Sequence, residues 1–373
     1  MGEPTMDISK ELEKLGSFPS LMGTMPGTPI YNTPVTPLEN IKLALKRDSG
    51  GALQGQQIWT PQGGDVITFC PIIVPDNIAR GFVIEKNTLT AENYGGPDMF
   101  NVQWEWVPAV GGSMVRPGTK QLLEDPDDLL EWEKHITFPD IDTWDWEGNS
   151  AVNKPIFMGE KRAAMAWIMT GYFERLISFM EFQNAAVALI DEECQDAVHR
   201  LFEKLTDLYI KLLQYYKKYY GASMVYFHDD WGSQQKPFLK YDTYDEMLVP
   251  HLKRLCDTAH AMDYYVVLHS CGKIENIVPL MVKANVDVWS GQDMNDRLKV
   301  VKENKGKIYV EFGPSVGSFF GPQLTPEEQE TKIDEWLATY GDYLDTIFVN
   351  TSFGGNELLY RKIYEYSRKK FAK

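Results

Sequence analysis

The stretch that decides the fold is Tyr264–Lys273, YYVVLHSCGK. An apolar, β-branched run ends in His269 and Cys271, with Gly272 directly after them. Residues two apart on an extended backbone point to the same side, so the imidazole and the thiol project together. Gly272 is placed to open an amphipathic helix over Lys273–Ala284. A strand that delivers polar groups at its C-terminal end, just before a helix, is how parallel α/β sheets and (β/α)8 barrels assemble active sites. Alone, the pair reads equally well as a hydrogen-bonded core histidine beside a small buried thiol. The surrounding sequence decides.

On either side the same pattern recurs. Strand Met224–Phe227 runs into His228-Asp229-Asp230-Trp231-Gly232, followed by a helix over Thr243–Met262. Strand Val286–Trp289 ends in Ser290-Gly291-Gln292-Asp293 and leads to helix Arg297–Asn304. Strand Ile308–Val310 ends in Glu311, and helix Pro326–Thr339 leads to strand Thr346–Val349, Asn350 and a closing helix over Glu357–Phe371. Upstream, Pro155–Met158 reads as a buried strand, with Glu160 at its end. Helices are expected near Arg162–Thr170, over Tyr172–Met180 and over Asn184–Tyr219. Residues 57–60 (QIWT) read as an early strand. About seven strand–helix units with short buried strands imply a parallel sheet. No GxGxxG or GxxxxGK[ST] follows any strand, so the pattern predicts a distorted (β/α)8 TIM-type barrel rather than a Rossmann sheet.

Residues 1–150 supply the decoration: a Pro/Gly/Thr-rich arm over 17–37, a helix capped by Thr36 with Pro37 and Glu39, and a small β meander over 81–113 that includes FVIE, NVQWEWV and SMVRP. Residues 151–373 carry the regular βα units. The expectation is one domain spanning residues 1–373.

Composition narrows the function classes. The chain carries 37 Lys+Arg against 53 Asp+Glu, a net charge of −16. An acidic surface of that size repels phosphate backbones, which argues against nucleic-acid binding. No apolar run approaches the roughly 18 residues needed to span a bilayer, and the first residues show neither a secretory nor an acylation signal. Cys70, Cys194, Cys256 and Cys271 lack CxxC spacing and read as reduced thiols in a cytoplasmic protein.

In a barrel the strand ends converge, here Glu160, His228, Asp229, Asp230, His269, Cys271, Gln292, Asp293, Glu311 and Asn350. A core has no use for carboxylates there, because burying them unpaired is costly. No GxSxG stands at a strand–helix turn, where it would mark a hydrolase nucleophile. Zinc accepts Cys sulfur and His nitrogen, and a catalytic zinc keeps three protein ligands and one open position. His269 and Cys271 supply two; among Glu160, Asp230 and Glu311, the third is read as Glu311. Tryptophans near strand ends (Trp59, Trp167, Trp231, Trp289) are candidates to line an aromatic pocket.

HDDWGSQ at 228–234, LHSCG at 268–272 with the following IENIVPLM, and ANVDVWSGQ at 284–292 resemble the uroporphyrinogen decarboxylase superfamily. The likeness runs over roughly residues 150–370 and more loosely includes TPLENIKLAL. It implies the barrel and one of two activities. A cofactor-free decarboxylase of uroporphyrinogen or of a small aromatic acid needs cations for its substrate's carboxylates, and QIWTPQGGDV offers no arginine. The second branch is that of corrinoid-dependent methyltransferases. These pass a methyl group from a small methoxylated, here aromatic, substrate to the cobalamin of a separate corrinoid protein; this chain has no DxHxxG cobalamin signature of its own. Their zinc motif is His-x-Cys followed by a distant Cys. His269 and Cys271 match its first part, and no cysteine follows Cys271.

The methyltransferase branch is the one expected, as an O-demethylase component. The roles implied are His228, Asp229, Asp230 and Glu311 as catalytic groups, Trp59, Trp231, Gln292 and Asn350 around the substrate, and His269, Cys271 and Glu311 on zinc. A homodimer is left open.

Overall fold

The computed structural model describes residues 7–18, 28–69, 96–107, 112–148, 150–151, 161–316, 324–350 and 356–372. Its strands, in chain order, are β1 (Lys14–Phe18), β2 (Thr28–Tyr31), β3 (Val66–Phe69), β4 (Gly96–Pro97), β5 (Gln103–Val107), β6 (Gly112–Val115), β7 (Ala163–Ile168), β8 (Met224–His228), β9 (Tyr265–Ser270), β10 (Val288–Gly291), β11 (Tyr309–Glu311) and β12 (Ile347–Phe348). The chain forms two compact units, one of residues 1–67, 158–163 and 296–373, the other of 68–157 and 164–295. The fold class is α/β. No described helix is long and apolar enough to cross a membrane.

In the second unit β7, β8, β9 and β10 are consecutive parallel neighbours. Their apolar residues (Ala166, Val225, Phe227, Val266, Leu268, Val288) are almost wholly buried, the signature of strands covered on both faces. The crossover from β7 to β8 contains helices Tyr172–Met180, Phe182–Ala188 and Glu192–Tyr220. The last buries one stripe, including Leu201, Leu205, Leu208 and Leu212. The meander is present as antiparallel β4–β5–β6. Buried Asp98 secures it, accepting N–H bonds from Phe100, Val102, the Trp104 indole and Arg175.

Several expectations are corrected. Residues 162–170 are not helical: AAMAWI forms β7, where burial overrides the helix propensity of three alanines. QIWT is not a strand, because the Asn40 side chain takes the Ile58 and Trp59 N–H groups (2.7 and 3.2 Å) that a ladder would need. The long helix expected over 184–219 breaks at Asp191, whose carboxylate caps the Glu193 N–H of the second segment. Pro250 divides 241–261 into two helices. The helix expected after Gly272 shrinks to a 3-10 turn at Glu275–Ile277 and Val278–Lys283. The described parallel strands support the α/β class without showing an eight-stranded closure. Strand Pro155–Met158, Glu160 and FVIE lie outside the described residues.

In the first unit β11 and β12 pair in parallel, and Thr36 and Glu39 form the expected capping box on helix Pro37–Leu45. Trp59 is wholly buried with Leu12, Tyr31, Tyr360 and Tyr364. Its indole donates to Asp65 (3.0 Å), which also accepts from Gln62 N–H (2.9 Å) and Tyr360 hydroxyl (2.8 Å). Burial raises the Asp65 pKa to about 6 despite these bonds.

A carboxyl whose folded pKa lies above its unfolded value favours folding at low pH, and that contribution is lost as pH rises from about 4 to about 6. Over that window the Asp65 term falls by about 3 kcal/mol. Asp65→Asn keeps two acceptances and can donate to Tyr360. Its unfolding free energy is therefore expected to lack this slope and to equal or exceed wild type at pH 8. A slope unchanged in urea titrations of Asp65→Asn contradicts the assignment.

Candidate metal centre

At the C-terminal ends of β8 and β9 the register sets His228 directly beside His269. Their rings stack at 5.0 Å and 14°. Asp230 and Cys271 lie two residues beyond each. One donor atom from each of His228, Asp230, His269 and Cys271 falls within 4.8 Å of all the others. His269 Nε2 lies 3.5 Å from Cys271 Sγ, and His228 Nε2 lies 3.6 Å from Asp230 Oδ1. Four donors around one zinc at about 2.0–2.3 Å would sit about 3.3–3.8 Å from one another, so these separations fit one ion.

The outer nitrogens are already engaged. His228 Nδ1 pairs with Glu174 Oε2 at 2.8 Å, and His269 Nδ1 is 3.3 Å from Ser290 Oγ. Each ring is thereby held with Nε2 turned toward the cluster, as metal-binding histidines are. Gln292 bridges the thiol and the next backbone amide: Nε2 donates to Cys271 Sγ (3.2 Å) and Oε1 accepts from Gly272 N–H (2.9 Å). Asp230 Oδ1 accepts from Cys271 N–H at 2.6 Å.

Burial opposes charge on His228, but Glu174, Cys271 and Asp230 outweigh it and hold its pKa well above the ordinary 6.5. His269 is pushed down to about 4 by burial and by the His228 charge. Burial raises Glu174 to about 7 and raises the Cys271 thiol, with His228 pulling against both.

Asp229 has a different task. It is fully buried, and its oxygens accept N–H bonds from Phe173, Glu174 and the Trp231 indole. Helix Tyr172–Met180 has no cap of its own at Gly171, so Asp229 caps it from β8. That bond fixes the first turn, and with it Glu174 beside His228.

Asn295 plays the matching part after β9 and β10. It accepts from Ile274 and Glu275 N–H and donates to the Gly272 and Gln292 carbonyls, all at 2.8–3.0 Å. The loops themselves touch through two glycines: a Cβ on Gly272 would lie 2.3 Å from the Gly232 carbonyl carbon.

Of the residues singled out in the sequence, His228, Asp229, Asp230, Trp231, His269, Cys271 and Gln292 all lie at these strand ends of the second unit. Glu311, Trp59 and Asn350 belong to the first unit. The four-donor group contains Asp230 where the sequence reading put Glu311. Trp231 and Trp59 are wholly buried, the former stacked on Tyr244 at 5.3 Å.

Glu174, Ser290 and Asn295 had escaped notice. Glu174 sits in the first turn of a helix, where a carboxylate ordinarily only complements the dipole, and taking β7 for a helix hid its closeness to a strand end. Replacing Glu174 by Gln is expected to lower zinc affinity about 10–100-fold in chelator competition. Affinity unchanged within about twofold would deny Glu174 its orienting role.

Residues 169–312 match the family model described as Uroporphyrinogen decarboxylase (URO-D), a segment that contains every member of the cluster. The matched segment is less than half of the chain. No curated protein matches the chain. Among solved structures, an uncharacterized protein aligns at 15% identity over 42% of this chain and 39% of its own length, TM-score 0.25. D-psicose 3-epimerase from Clostridium cellulolyticum H10 aligns at 10% identity over 61% and 76%, TM-score 0.33. The IolI protein with a binding zinc atom aligns at 13% identity over 66% and 80%, TM-score 0.31.

Proposed function

We propose that the protein is a zinc-dependent methyltransferase that moves a methyl group from a small methoxylated substrate to the cobalamin of a separate corrinoid protein. The observation that carries this reading is the convergence of His228, Asp230, His269 and Cys271, with both imidazoles oriented from outside by Glu174 and Ser290. His228, Asp230, His269 and Cys271 would hold a zinc ion, which would supply Lewis-acid chemistry to an ether oxygen by expanding its coordination, with one thiolate only and so a harder character than a two-cysteine set.

The chain's own groups do the rest. Glu174 and Ser290 fix the imidazoles, and Gln292 keeps an N–H on the Cys271 sulfur. Asp229 holds the helix that carries Glu174. The leaving phenolate takes its proton from water.

The cofactor-free decarboxylase is the second reading. It is less well supported because, among the described residues, none of the ion pairs or hydrogen bonds to the four donors comes from Lys or Arg. A substrate bearing several carboxylates needs such cations.

The test mixes the zinc-loaded protein with a reduced corrinoid protein and a broad panel of methoxylated aromatics. Methyl-cobalamin with stoichiometric phenol is expected. Neither product across the panel, from protein shown to hold zinc, overturns the reading.

A further inference from the structure

We infer that Gln292 is a positioning residue for the Cys271 sulfur: its side-chain N–H keeps the thiolate a metal ligand and stops it from taking the methyl group itself. The inference rests on the methyl-transfer reading and adds how that centre avoids consuming its own substrate.

The backbone amides nearest the sulfur are committed elsewhere. Cys271 N–H donates to Asp230 Oδ1 at 2.6 Å, and Gly272 N–H donates to Gln292 Oε1 at 2.9 Å. The bond to sulfur comes instead from Gln292 Nε2, at 3.2 Å. A backbone N–H can only donate, so Gly272 fixes which end of the amide is oxygen and leaves the NH2 group facing Sγ.

The amide is held at its root as well. Asn295 Nδ2 donates to the Gln292 carbonyl and to the Gly272 carbonyl, both at 2.9 Å, and Asn295 is itself buried. One residue thus ties the loop that carries Gln292 to the loop that carries Cys271. A donor fixed in this way loses little further conformational freedom in keeping its bond to sulfur.

Chemistry gives that bond a task. A thiolate is itself a strong nucleophile. Methyl transfer to Cys271 would form an S–C bond and break the C–O bond, whose electron pair leaves with the phenolate oxygen. The product is a neutral thioether where the metal needs a charged ligand. An N–H aimed at the sulfur lone pairs draws off electron density, which lowers nucleophilicity and leaves the negative charge in place.

Methyl iodide added to zinc-loaded protein tests this: the S–C bond forms as iodide leaves, and peptide mass spectrometry reads methylation of Cys271. Gln292→Met keeps the side-chain length and removes the donor. Its Cys271 is expected to be methylated about tenfold faster than in wild type, the worth of one charge-assisted hydrogen bond. With cobalt(II) in place of zinc, the sulfur-to-cobalt charge-transfer band is expected to move to longer wavelength by roughly 5–12 nm in Gln292→Met, with the d–d bands unmoved. Altered access to the thiol cannot produce that shift. In wild type loaded with spin-active cadmium, NMR is expected to show coupling across the sulfur between the metal and a Gln292 side-chain amide proton, a measurement independent of any variant. An unmoved methylation rate, an unmoved charge-transfer band or absence of that coupling each overturns the inference. No charge-transfer band in cobalt-loaded wild type overturns the metal centre and the inference together. All three effects as expected, without methyl transfer from any methoxylated substrate to the corrinoid protein, leave the role of Gln292 on the sulfur standing and remove the methyl-transfer reading instead.

Discussion

Purified protein is expected to bind one zinc per chain, and Cys271→Ser or His269→Ala to weaken that binding by about two to three orders of magnitude. Structural zinc sites of four ligands are worth about 10–16 kcal/mol, so one ligand accounts for roughly 2.5–4 kcal/mol. His228→Ala and Asp230→Asn belong in the same range, because all four donors lie within 4.8 Å of each other. Glu311→Gln separates the four-donor group from the ligand set read in the sequence. It should leave the affinity unchanged, and a loss there as large as in Cys271→Ser would return the third ligand to Glu311. Competition against a chromogenic chelator reads all five variants on one scale.

The second large effect concerns a residue with no side chain. Gly272 sits at φ +96°, and an added Cβ would lie 2.3 Å from the Gly232 carbonyl carbon and 2.7 Å from its Cα. Both obstacles are backbone, so neither can rotate away. Positive φ adds a further 1–2 kcal/mol or so for a residue with Cβ. Gly272→Ala is expected to cost at least about 3 kcal/mol in urea unfolding and to weaken zinc binding, because Cys271 is the preceding residue. Gly232→Ala provides the control. Its nearest obstacle is the Ile274 Cγ2 at 2.4 Å, a side-chain methyl that can move, so the loss should be smaller. Wild-type stability and zinc affinity in Gly272→Ala would show that the loops after β8 and β9 are not clamped at this point.

These two glycines show what was readable in the sequence and what was not. HDDWG and HSCG stood out as strand ends because apolar runs stop abruptly at polar residues, and that is a local signal. The spacing also placed His269 and Cys271 on one side of a strand. Nothing local says that Gly232 and Gly272 touch, or that Asp229 reaches across to cap the helix beginning at Tyr172. Both depend on neighbouring parallel strands whose register is set by packing.

The grouping of His228 and Asp230 with His269 and Cys271 was hidden for the same reason. Asp230 follows His228 by two residues, the same spacing as His269 and Cys271, yet Glu311 was as good a candidate until β8 and β9 were paired. Tryptophan was the least legible residue type. Trp59 and Trp231 are core side chains whose indole N–H groups are satisfied by Asp65 and Asp229, whereas Trp167, of the four tryptophans near strand ends, is the one left partly open. Exposure of an aromatic ring is decided by what the other strands cover, and periodicity within one strand does not report it.

The most direct test of the central claim is zinc K-edge X-ray absorption on the zinc-loaded wild-type protein. One sulfur scatterer at about 2.3 Å with nitrogen and oxygen scatterers at about 2.0–2.2 Å, including an imidazole pattern, is the predicted first shell. A shell without sulfur, or with two sulfurs, would contradict a centre built from His228, Asp230, His269 and Cys271.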